Sequence, residues 1–174
     1  MPNINLLTYI LVFITAFIIG IVYSIRTYPK REVAQLFETF LKEGYKISEW
    51  KHFRELVDHH VKYIVKPNCE TLYSSTFIRL ENDNYKLTIP QVSEYFSVSF
   101  LNIDTDVIAY ITNLQLNKSL PTSFVLSNKP NNKGDNEIIL NTNLCWIIVR
   151  YGIPSADRIH EIHELQNNID LIRA

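Results

Sequence analysis

Residues 1–25 contain no Asp, Glu, Lys, Arg or His, and from Leu6 to Ile25 the chain reads LLTYILVFITAFIIGIVYSI. Twenty such residues rise about 30 Å as a helix, the thickness of a bilayer's hydrocarbon core. Thr8, Thr15, Gly20 and Ser24 interrupt the run, and the Thr and Ser hydroxyls can bond back to carbonyls a turn earlier. Tyr9 and Tyr23 fall near its two ends, where an aromatic ring with one wet edge is favoured. A small domain has no interior large enough to hide so long an all-round apolar helix. A cleaved signal peptide fits poorly, because no basic stretch precedes the run, no Ala-x-Ala follows it, and it exceeds the usual span of about 7–15 residues. The segment reads as an uncleaved single-span anchor, residues 1–28, contacting the lipid bilayer through residues 6–25. Residues 29–174 are left as one domain, in keeping with the usual size of about 100–200 residues.

Charge sets further bounds. Lys+Arg number 17 against Asp+Glu 18, with 20% charged and 47% hydrophobic residues. That balance excludes a disordered polyelectrolyte and gives no electrostatic case for nucleic acid. Two cysteines cannot make a disulfide-dense scaffold or an all-cysteine zinc site. Arg26, Lys30 and Arg31 follow the apolar run closely, which by the positive-inside rule puts the following domain in the cytoplasm.

Beyond the anchor, Pro29 marks a break and suits the first turn of a new helix. Val33, Leu36, Phe37, Phe40 and Leu41 repeat at helical spacing, with Gly44 as a stop. A second helix is expected from Ser48 as N-cap, with Trp50, Phe53, Val57 and Val61 as its apolar stripe. Strands follow. Tyr85 to Ile89 alternates and is closed by Pro90, and Phe96, Val98 and Phe100 alternate with Ser97 and Ser99. Val107 to Ile111, Ser123 to Leu126 and Ile138 to Leu140 are further short strands. Cys145 to Val149 is apolar on both faces, so it is expected at the centre, with Trp146 almost fully buried. Asn128 to Asn136 is a loop, and Ser155 to Ile169 a closing helix. The fold class is α+β: an N-terminal transmembrane helix, then an antiparallel sheet or sandwich covered by helices.

Motifs of known chemistry are scarce. His160 and His163 stand three apart, whereas a zincin pair needs a spacing of four. His59 and His60 diverge on a helix. Cys69 and Cys145 are either paired or free. Four glycines leave no phosphate cradle and no nucleophile elbow. The cluster that stands out is Lys66-Pro67-Asn68-Cys69-Glu70-Thr71-Leu72-Tyr73-Ser74-Ser75. Glu70 beside Asn68 and Tyr73 could serve in acid/base work, or could satisfy backbone groups at a turn. Arg150 ends the most apolar strand and needs water or an acceptor, for which Glu70 is the expected partner. No metal and no cofactor are expected.

These segments resemble the domain-of-unknown-function 1254 family. Lys66 to Tyr73 is similar to its Pro-Asn-x-Asp-Thr-Leu-Tyr motif, with Glu70 in place of Asp. Leu87-Thr88-Ile89-Pro90 resembles its Val-x-x-Pro, and Tyr95-Phe96-Ser97-Val98 its Arg-Tyr-Tyr-x-Val, with Glu94 in place of Arg. Asn141 to Arg150 is similar to a segment ending in Gly-Arg, and Gln166 to a Leu-Gln in the last helix. The resemblance covers about residues 32–172. It implies an α+β domain with an antiparallel core and no established activity. It also implies a short anchored form, the following domain-of-unknown-function 1214 of longer relatives being carried by a separate membrane protein. Relatives' export signals favour a periplasmic or extracellular domain, against the charge rule, so the side of the membrane stays open. Two functions fit: a membrane-anchored, non-catalytic binding or assembly module, or an envelope enzyme or small-ligand-binding protein using Asn68, Glu70, Tyr73 and Arg150.

Overall fold

The computed structural model describes residues 5–56, 70–81, 83–117, 121–130 and 136–174. It opens on a single helix, α1 (Leu6–Lys42), 37 residues and about 55 Å long. Asn5 caps it, its side chain accepting from the Thr8 amide at 3.0 Å. Thr15 and Thr27 donate back to the Leu11 and Tyr23 carbonyls at 2.8 and 2.9 Å. The helix is long and apolar enough to cross a membrane, and its most apolar stretch has no buried residue.

The expected break at Pro29 is absent: the proline lies inside α1. It removes one donor, to the Ile25 carbonyl, but the turns before it close their own bonds and those after it are held by packing. Gly44 does end the helix. Its φ of +93° admits the left-handed turn in which Tyr45 N–H reaches the Phe40 carbonyl (3.3 Å) and Gly44 N–H the Leu41 carbonyl (3.0 Å). The Phe40 and Tyr45 rings stack over that turn at 5.1 Å.

No helix follows at Ser48. Ser48 takes a φ of +64°, and its amide donates to the Phe77 carbonyl at 2.8 Å. That contact turns the chain into β1 (Lys51–Phe53). Val57 and Val61 of the expected stripe, and His59 and His60, lie outside the described residues. The remaining elements are β2 (Thr71–Arg79), β3 (Tyr85–Ile89), β4 (Phe96–Leu101), β5 (Val107–Thr112), β6 (Thr122–Ser127), β7 (Glu137–Ile139), β8 (Leu144–Gly152), α2 (Ile159–Asn168) and β9 (Asp170–Arg173). A 3-10 turn, Ala156–Arg158, leads into α2.

The strands form two sheets, β1-β2-β8-β4-β5 and β7-β6-β3-β9, antiparallel except for β6 with β7. The main core is packed from Leu72, Ile78, Val98, Phe100, Ile147 and Val149 of the first sheet and Leu87, Ile89, Leu126 and Leu171 of the second. Ile162 of α2 joins it. The fold is thus α+β, as the strand pattern led us to expect.

The first sheet's other face carries a second, smaller core. Val33 and Phe40 of α1 pack there on Phe77, with Phe37, Tyr45, Leu144 and Trp146 around them. Phe77 meets Phe37 and Phe40 edge-on at 5.1 and 5.4 Å and stacks on Trp146 at 5.9 Å. Trp146 does lie in the central strand, but it points to this outer face and is only half buried. Cys145, Ile147, Val149 and Tyr151 take the inner face instead. Lys30 pairs with Asp104 in the β4–β5 turn at 3.3 Å, and Lys51 pairs with Glu43. The second half of α1 thus lies across one end of the sheet.

Candidate functional site

Register places Tyr73 opposite Arg150 on neighbouring strands, and Ser97 opposite Arg150 on the other side. All three therefore share the outer face, at the end away from α1. Trp146, under the helix, is four residues from Arg150, about 13 Å along β8. The Arg150 guanidinium sits 5.9 Å from the Tyr73 ring centroid and donates to Ser99 Oγ at 2.9 Å. Tyr95 Oη donates to Ser97 Oγ at 3.2 Å. The hydroxyls of Ser97 and Tyr110, and to a lesser degree the Arg150 charge, hold the Tyr95 phenol below its ordinary pKa against some burial.

Ser97 and Ser99 are 0% and 4% exposed, whereas Tyr95 and Tyr110 are 48% and 44% exposed. β4 is therefore buried on both faces, although its alternation suggests one wet face. Gly152 lets Tyr95 come close: a Cβ there would stand 2.8 Å from that of Tyr95. Its amide donates to the Tyr95 carbonyl, also at 2.8 Å.

Of the four residues singled out from sequence, Tyr73 and Arg150 come together. Glu70 lies in the turn before β2, exposed, its carbonyl accepting from Ile153 N–H at 2.9 Å. The ion pairs among the described residues do not join Glu70 to Arg150, whose partners are Ser99 and Tyr73. Asn68 and Cys69 lie outside the described residues. Cys145 is free and buried, and burial pushes its thiol up to about 12. Tyr95, Ser97, Ser99 and Tyr110 were not singled out as site residues, because only strand pairing brings them beside Arg150.

A second polar group ties α2 to the sheet. Gln166, fully buried, donates to the Tyr73 carbonyl (2.9 Å) and the Phe53 carbonyl (3.2 Å) and accepts from Arg54 at 3.0 Å. His52 Nδ1 lies 2.7 Å from Ser74 Oγ, and burial, helped by the Arg54 charge, pushes the imidazole down to about 4. The two histidines of α2 are engaged with backbone: His163 Nε2 with the Arg54 carbonyl (2.9 Å) and His160 Nδ1 with that of Asp157 (3.1 Å). Beside α2, a shallow recess is lined by Glu94 and Glu161, and both carboxylates are engaged by Arg158.

A family model described as "Protein of unknown function (DUF1254)" matches residues 47–173, beginning just beyond α1. No curated protein matches the chain. The fold is similar to that of the VPA0106 protein from Vibrio parahaemolyticus, with a TM-score of 0.63 and 12% identity, over 84% of this chain and 35% of that one. It is also similar to an uncharacterized protein from Burkholderia cenocepacia, with a TM-score of 0.51 and 14% identity, over 100% of this chain and 44% of that one. The chain thus spans less than half the length of either.

Proposed function

This chain belongs to the DUF1254 family of proteins of unknown function, and on that premise we propose that it is a membrane-anchored, non-catalytic binding or assembly module. One observation carries the reading: the apolar, unburied segment and the helix that docks on the sheet are the same unbroken α1. A span that continued into a loose linker would only tether. A span whose helix runs on through Val33 and Phe40 to pack on Phe77 and Trp146 holds the sandwich at the membrane surface in one orientation. The two solved relatives are more than twice as long as this chain. The proposal includes assembly with a separate membrane protein carrying the domain-of-unknown-function 1214, as the resemblance implies.

The second reading, small-ligand binding, is favoured by the convergence of Tyr73 and Arg150 with three hydroxyl-bearing neighbours. It recruits the outer face without requiring a catalytic group. The anchoring is tested by an alkaline carbonate wash of membranes from cells making the full chain. The full chain should stay in the pellet, and residues 29–174 alone should appear in the supernatant as folded protein. Release of the full chain by the wash would contradict it.

A further inference from the structure

We propose that Arg150, Tyr73, Tyr95, Tyr110 and Ser99 form a binding site for an oxyanion, the carboxylate or phosphate group of a small ligand. The proposal deepens the ligand-binding reading above and rests on it. β1, β2, β8, β4 and β5 contain no Asp or Glu among their residues, so the sheet offers Arg150 no carboxylate. Its guanidinium carries five N–H donors in a rigid fork, yet its partners among the described residues are one serine hydroxyl and one aromatic face. Three other arginines are committed to polar partners, Arg158 to Glu94 and Glu161, Arg173 to Asp83, and Arg54 to Gln166 and Asn167, while Arg79, at the far end of β2, lies over the Phe37 ring of α1.

The surroundings supply donors. The Tyr95 and Tyr110 hydroxyls stand at the half-exposed rim, and the Tyr73 ring holds the guanidinium plane in place, as a cation over an aromatic face does. Thr71, two register pairs along and on the same face, has a buried Oγ1 with no hydrogen-bond partner among the described residues. The same hydroxyls, of Ser97 and Tyr110, and to a lesser degree the Arg150 charge hold the Tyr95 phenol below its ordinary pKa, in keeping with a site that tolerates negative charge. A cation with spare forked donors, hydroxyls around it and no Asp or Glu on the strands of its sheet matches a bidentate oxyanion.

The test uses the full chain in nanodiscs of neutral phosphatidylcholine, titrated at constant ionic strength with inorganic phosphate and, separately, succinate. Binding is followed by the tyrosine difference spectrum. Saturation below about 10 mM by at least one of them is expected. Arg150→Met should weaken it at least tenfold and Tyr110→Phe severalfold, while Arg158→Met, an equal change of charge elsewhere, should leave it unaltered. A parallel arm adds phosphatidylglycerol to the nanodisc: a spectral change without added anion, lost in Arg150→Met, would identify a lipid headgroup as the carrier and also support the site. No saturable change with phosphate, succinate or phosphatidylglycerol overturns the proposal, as does equal binding by Tyr110→Phe, Arg150→Met and the parent. Tyr110 is half exposed, so that variant keeps the test open if Arg150→Met does not fold. Failure here leaves the carbonate result, and with it the anchored module, standing.

Discussion

At the scale of single residues, Gln166 is a junction: one buried amide serves two carbonyls and the Arg54 guanidinium. Gln166→Leu keeps the volume but strands those groups, and a buried polar group without a partner costs about 1–3 kcal/mol. Urea unfolding should show a loss of at least that size, whereas Asn168→Ala, at the exposed end of α2, should stay within about 0.5 kcal/mol. His52 gives a pH signature. Its folded pKa is lowered from 6.5 to about 4, so the unfolded chain binds the proton more tightly. Its contribution is therefore complete above pH 6.5 and is lost as the pH falls toward 4. Asp157 and Glu161, whose pKa values are also lowered, lose stability in acid as well, so the comparison needed is with His52→Gln, which should flatten the slope between pH 6.5 and 4. Neither role could be read from sequence. Gln166 was visible only as a motif letter, and His52 was read as part of a helix.

At the scale of elements, local pattern told most where one force acted alone. Strands β3 to β8 fall on the alternating or apolar runs, because a half-buried or central strand must show its burial in every second residue or in all. β9 escaped notice because only Leu171 of its four residues is buried. The stretch after Ser48 was misread because Trp50 and Phe53 fit a helical stripe, while the deciding contact, Ser48 amide to Phe77 carbonyl, joins segments far apart in sequence. Trp146 lies on the expected central strand but is only half buried, since a run apolar on both sides carries no parity to show which face is the deeper one. The outer side of that run is apolar because α1 covers it. Phe77→Ala removes the ring on which Phe37, Phe40 and Trp146 converge and should cost about 3–5 kcal/mol. Amide exchange from Val33 to Phe40 should accelerate in that variant more than exchange in β3. Equal acceleration in both would mean that the helix does not rest on this cluster.

At the scale of the whole molecule, the apolar run and the α+β class were legible, and the geometry joining them was not. Proline rules argue for a break at Pro29, yet the helix passes through it because packing on one side and internal bonding on the other outweigh one missing donor. The candidate site was half legible: Tyr73 and Arg150 were singled out for their chemistry, but their meeting depends on the β2–β8 register. The central claim is that α1 is one rigid element joining the apolar span to the sandwich. Spin labels at Ser24, before the proline, and at the exposed Lys86 on the far sheet read this directly by pulsed electron resonance in nanodiscs. Cys69→Ser removes one background thiol, and Cys145, buried with its thiol pushed up to about 12, does not compete for the label. The account predicts a single narrow distance distribution, broadened when Gly-Gly is inserted after Pro29. A broad distribution in the parent chain, unchanged by that insertion, would contradict it.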